Sequence, residues 1–237
     1  LAGTYYLDEH TITAGYEFEE LNVFNLFMQH TQGEYRFSSI EDYENGAAYS
    51  YYNNAAGTNN QNDVAASFSY ALHTFYVQDE YAFSDIDATL TFGLRYDRYT
   101  SDDNPTENKK FEERYGIMNT KNLDGVDLLQ PRVGFNWYVD DALEVRGGIG
   151  LYSGGNPNVW LSNAYSNDGV TQIDERGFIA NLFEEPLTNF DGGTPGYDVP
   201  QKWFDSIGNT AVGDGDGAVN STAPNFEIPS EWKLALG

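Results

Sequence analysis

The sequence predicts an all-β fold, an antiparallel transmembrane β-barrel segment of about seven strands with long extracellular loops. Three observations predict it. Ser67 to Thr100 reads as two long strands folded through a short turn at Ser84-Asp85-Ile86-Asp87, with Ala88, Leu90, Phe92, Leu94 and Tyr96 alternating with Thr89, Thr91, Gly93, Arg95 and Asp97. That period of two puts an apolar row on one face and a polar, charged row on the other, over a length suited to a tilted bilayer crossing. Aromatics make up 16 % of the 237 residues although mean hydropathy is only −0.54. This suits a wall in which every second residue meets lipid and aromatics form girdles. Finally, the connections alternate short and long along the whole chain, as periplasmic turns and external loops do in such barrels.

The elements follow in order. Leu1–Leu7 reads as a strand and 8–10 as a tight turn. Thr11 to Met28 is a long strand with Ile12, Ala14, Tyr16 and Phe18 on one face. Its pattern blurs at Glu20-Leu21-Asn22, which a bulge or emergence from the membrane would explain. Residues 29–66 form a polar loop rich in Tyr, Asn and Gly with turn signals and no sustained period. After the hairpin with its turn at 84–87, residues 101–127 form a second charged loop.

Leu128 to Val139 is a strand with Leu129, Val133, Phe135, Trp137 and Val139 on one face, and Pro131 near its start, where a missing donor is best tolerated. Residues 140–141 turn the chain, and Ala142 to Tyr152 returns with Leu143, Val145, Ile149 and Leu151 against Glu144, Arg146, Gly148 and Gly150. The third and longest loop runs over 153–228, and Ser230 to Leu236 is the last strand. No leader is legible at Leu1 and the final strand reads as cut short. The whole of 1–237 is therefore expected to be an arc of a wider barrel.

Composition excludes several classes. No run of about 18 apolar residues exists, so no transmembrane helix is expected. Cysteine is absent, which removes disulfides, thiolate metal sites and cysteine nucleophiles. With 12 Lys and Arg against 37 Asp and Glu, the net charge of −25 argues against nucleic acid as a partner. No nucleophile–base set or glycine-rich phosphate loop falls where strand geometry would unite it, so no enzyme is expected.

Three residue sets invite a functional reading. Tyr49, Tyr51, Tyr52, Trp160, Tyr165 and Trp203 fall in the loops and suit a ligand platform or loop-on-loop packing. Arg95, Asp97, Arg132, Glu144 and Arg146 face the polar side and line the lumen, along a ligand path or in salt-bridge ladders. Asp214 and Asp216, spaced by glycines, resemble part of a calcium loop, while a solvated turn is the alternative; no other cofactor is expected. His10, His30 and His73 are scattered, and a haem or zinc pair among them is disfavoured.

The strands also carry a family resemblance. FYVQDEYAFSDIDATLTFGLRYD resembles the hairpin of TonB-dependent outer-membrane receptors, HTITAGYEFEE one of their strands, and LLQPRVGFNWYVDDALEVRGGIGLYSGGNP a strand pair. PSEWKLALG resembles a strand of their Oar-like, carboxypeptidase-regulatory-domain group. The resemblance covers the strands and not the loops. It implies a barrel of about 22 strands in the outer membrane of a Gram-negative bacterium, in contact with lipid and lipopolysaccharide. It also implies a plug domain, which this sequence lacks, through which the TonB complex would energise import of a small molecule, oligosaccharide or peptide. A passive porin, a surface protein for binding, adhesion or secretion, and a soluble carbohydrate-binding sandwich are the competing readings.

Overall fold

The structure is a computed structural model and describes residues 1–188 and 198–237. Its strands are β1 (Ala2–Leu7), β2 (His10–Asn25), β3 (Glu34–Arg36), β4 (Ala48–Ala55), β5 (Ala66–Phe83), β6 (Ala88–Thr100), β7 (Asp127–Asp140), β8 (Leu143–Ser153), β9 (Gln172–Ile179) and β10 (Ser230–Leu236). Four α-helices, α1 (Ile40–Asn45), α2 (Lys109–Tyr115), α3 (Asn158–Ser166) and α4 (Gln201–Asn209), and a 3-10 turn at Gln61–Val64 join them. Seven strands form one antiparallel sheet in the order β1-β2-β5-β6-β7-β8-β10, and β3-β4-β9 form a second, smaller one. The large sheet is an up-and-down meander interrupted only by the long insertions. It stays open, with β1 and β10 as free edges.

The tight turns lie on one rim. Leu7 pairs with His10, Phe83 with Ala88, and Asp140 with Leu143. Asp8 and Asp87 take φ of 49°, a left-handed conformation that aspartate tolerates better than most residues. At the third turn the Asp140 carboxylate accepts from the backbone N–H groups of Ala142 and Leu143.

Register explains the blur in β2. Pairing with β5 runs without interruption from His10↔Tyr81 to Asn25↔Ala66, so no bulge exists there. What changes is the polarity of each face. Below Phe18 the outward row of β2 is Ile12, Ala14 and Tyr16, and the inward row Thr11, Thr13 and Glu17. Above it the outward row becomes Glu20 and Asn22, ending on an exposed Phe24, and the inward row Leu21 and Val23. The inversion continues across β5, where Phe75, Val77 and Phe83 are exposed outward while Phe68, Tyr70 and Leu72 are buried inward. In β6 outward Phe92 and Leu94 give way to outward Arg98 and buried inward Tyr99. A wall meeting lipid needs apolar groups outside and tolerates polar ones within. Beyond the bilayer the outside meets water, and the inside packs on whatever covers it. The strands therefore leave the membrane near the Phe18–His73–Arg98 level.

Below that level the outward row is continuous across strands: Leu90 pairs with Phe135, Phe92 with Val133, and Trp137 with Val145. Ile149 pairs with Leu234 and Leu151 with Trp232. From Ala88 to Tyr96, at roughly 3.3 Å per residue, the row covers about 26 Å of strand. At a barrel tilt of about 40° this is a band about 20 Å tall. The exception is Asp79, which faces outward and pairs with His10 at 2.7 Å.

Pro131 is accommodated by the end of a ladder. The β7–β8 pairing stops at Arg132↔Gly150, and the Ser153 backbone N–H is taken instead by the Gln130 side chain at 3.0 Å. Glycine is required where backbones close up. A Cβ on Gly148 would stand 2.8 Å from the Val133 carbonyl oxygen, and the Tyr76 ring covers Gly15 from the neighbouring strand.

The loops differ most from expectation. All three hold secondary structure, and those predicted at 29–66 and 153–228 are joined by the β4–β9 pairing from Ala48↔Ile179 to Ala55↔Gln172. Of the third loop, residues 189–197 lie outside the described residues. In β4 the buried face is Ala48, Ser50, Tyr52 and Asn54 and the exposed side includes Tyr49. Apart from Tyr52 the buried side chains are small or polar, so no apolar alternation marks this strand.

Candidate functional site in the inner wall and loop cap

The inward rows of six strands converge on one polar network. Asp97 of β6 is almost wholly buried and accepts from Thr74 Oγ1 of β5 at 2.7 Å, Gln130 Nε2 of β7 at 2.6 Å and Arg95 Nε at 2.9 Å. Arg95 also donates to Thr74 and reaches Glu17 of β2 at 3.5 Å. Gln130 accepts from Arg132 at 3.3 Å and, as above, from the backbone of β8. The Arg132 guanidinium lies 4.5 Å from the centroid of the Tyr152 ring of β8, and Lys233 of β10 approaches the same ring. A buried carboxylate is stable here because every side of it is met by a donor.

Of the predicted lumen set, Arg95, Asp97 and Arg132 belong to this network. Glu144 and Arg146 do not: they lie closer to the turns and line a separate concavity of about 730 Å³ with Glu80, Thr89, Thr91 and Asn136. Within the predicted set Arg95 and Asp97 form the expected ladder, which Arg95 extends to Glu17. Thr74, Gln130 and Glu17 were not anticipated, although their inward phase was readable from the alternation.

Above the network sits a cap. Ala66, Phe68, Tyr70 and Leu72 of β5 and Tyr99 of β6 form a buried cluster with Leu123 and Val126 of the second loop and Leu161 and Ile228 of the third. Tyr165 of α3 stacks on Phe68, its hydroxyl donating to the Asp103 carbonyl at 2.5 Å. Burial and the nearby Asp103 carboxylate push the Tyr165 hydroxyl up to about 12. Tyr70 donates to Asn158 Oδ1 and Tyr99 to Asn156 Oδ1, pinning the start of α3 to the wall. The second and third loops are clamped further out, where Lys110 and Arg114 of α2 both bind Asp216.

The aromatic set predicted for one platform is dispersed. Tyr52 and Trp203 belong to the packing between β4 and α4, with Val199 and Ile207. Tyr165 belongs to the cap. Tyr49 is exposed on the small sheet, edge-to-face with Phe178, while Tyr51 lies under Arg36 with His30 alongside. Trp160 is 60 % exposed on the side of α3 turned away from the wall.

Asp214 and Asp216 form a hydrogen-bonded turn, with Asp214 Oδ1 accepting the Asp216 backbone N–H at 2.9 Å. Lys110 and Arg114 hold the Asp216 carboxyl below its ordinary range. Among the described residues no group of three or more His, Cys, Asp or Glu could hold a metal. The histidines are separate: His10 meets Asp79, His30 meets Glu34, and His73 meets Tyr16.

The family described as outer membrane beta barrel domain matches residues 3–236. No curated protein and no solved structure matches the chain.

Proposed function

The chain belongs to the outer membrane beta barrel domain family, and from that premise we propose that it forms part of the wall of a TonB-dependent receptor, whose external loops capture a ligand for energised import. The observation that carries this reading is the inner-wall network. Glu17, Thr74, Arg95, Asp97 and Gln130 form a polar surface on the inward face of a sheet whose two edges are free. A free edge in lipid leaves backbone groups unsatisfied, so further strands must close the wall. A wider barrel, of the kind with about 22 strands, has room for an interior domain. Such a plug, contacted by TonB in a Gram-negative cell, is part of the proposal, as is the absence of catalytic chemistry. Calcium at Asp214 and Asp216 is a further part of it, and the ion would have to displace Lys110 and Arg114.

A binding or adhesion role is the second reading, favoured by the exposed Tyr49–Phe178 pair on the small sheet. Planar-bilayer conductance of the whole protein in potassium chloride tests the transport reading. A plugged receptor passes almost no current without its energising partner. Steady open channels would instead identify a passive porin.

A further inference from the structure

Trp160 lies between two clefts, of about 330 and 260 Å³, and lines both. The first is bordered by Asn156 and Asn158, the second by Asn163, Asn220 and Thr222. None of the residues lining either cleft is charged. In a chain with 49 ionisable Asp, Glu, Lys and Arg residues, from 37 acidic plus 12 basic, an exposed neutral site of this size stands apart.

The amides are oriented. Asn158 Oδ1 accepts from Tyr70 at 2.7 Å and Asn156 Oδ1 from Tyr99 at 2.8 Å, both from the rigid wall. Each amide is thereby fixed with its oxygen occupied, and its NH₂ group is left as a donor. The indole is held on α3, whose opposite side, through Leu161 and Tyr165, is packed in the cap.

We infer that Trp160 and the asparagines flanking it form a binding site for a neutral oligosaccharide. A bare anion would find no cation here and a metal or amine no carboxylate. A purely apolar ligand would bury amide donors without partners, which is costly. A sugar ring offers a C–H face to the indole and hydroxyls that accept from the fixed amides. Two clefts on either side of one ring suit more than one sugar unit.

The inference rests on the reading of the loops as ligand-capturing and names the class of ligand. The test is a binding array of neutral glucan, xylan, mannan and galactan oligosaccharides, with alginate and polygalacturonate as anionic comparisons, probed with the whole detergent-solubilised protein. At least one neutral series should bind. Trp160→Ala should weaken it about tenfold or more, while Phe183→Ala, another exposed aromatic, leaves it unchanged. Asn158→Asp keeps the acceptor for Tyr70 and removes the free donor, so it should weaken binding without disturbing the cap. Binding of no neutral oligosaccharide, or binding indifferent to Trp160→Ala, overturns the site. Capture of an anionic chelate or a peptide instead would overturn the sugar assignment and leave the receptor reading standing.

Discussion

The rings of Phe68 and Tyr165 lie parallel, 4.3 Å apart at their centroids and 10° apart in plane. One is on a strand of the wall and the other on a helix of the third loop, so this contact fixes that loop inside the mouth. Tyr165→Ala removes the stack and the hydroxyl bond together and should cost the cap about 3 kcal/mol. Limited proteolysis of the third loop in intact cells reads the effect: cleavage should accelerate in the variant, while the wall keeps its native mobility in cold electrophoresis.

The same residue gives a pH dependence. Tyr165 is raised to about 12 in the fold, above the ordinary value of 10. Its contribution is fully present below pH 10 and is lost as pH rises through 10 toward 12. Loop cleavage should therefore increase over that window, and Tyr165→Phe, which has nothing to ionise, should flatten its part of the rise.

At the acid end the clamp on Asp216 behaves oppositely. Its carboxyl is held below 3.8 by Lys110 and then Arg114. Its contribution is present above the ordinary carboxylate range and is lost as pH falls through the lowered folded value. Hydrogen-exchange protection across 109–115, measured relative to the intrinsic rate at each pH, should fall on acidification, and Asp216→Asn should show that lower protection already at neutral pH.

Asp97 holds the wall network through three donors from three strands. Asp97→Ala strands Arg95 and Gln130 and should cost about 3 kcal/mol. The temperature at which the barrel loses its compact electrophoretic form should drop accordingly. Glu144→Ala, outside the network, should leave that temperature nearly unchanged.

The wall was legible because one rule, lipid outside and polar inside, governs the membrane-level part of the seven strands of the large sheet. The seven strands and three tight turns follow from it. The loops obey no such rule. β4 buries Ser50 and Asn54 and exposes Tyr49, the reverse of what hydropathy suggests, so its strand and its partner β9 were invisible. Of the two readings the sequence left open for Tyr52 and Trp203, a platform or loop packing, the structure places both in the packing between β4 and α4. The blur at Glu20-Leu21-Asn22 was a real signal, and register decides between its two explanations. Which inward charges meet depended on stagger between strands: Arg95, Asp97 and Gln130 converge at one level, whereas Arg146 lies opposite Asn136 nearer the turns.

Alternate residues of one membrane strand face lipid and lumen. The chain has no cysteine, so single labelling sites are available without background. Nitroxide labels at Phe92→Cys and Thr91→Cys, in protein reconstituted into bilayers, should differ in collision with oxygen, which concentrates in lipid, and with a water-soluble nickel chelate. The membrane wall predicts that position 92 meets oxygen and position 91 the chelate or neither. Equal access of the chelate to both positions would contradict it and return the chain to a sheet bathed in water on both faces.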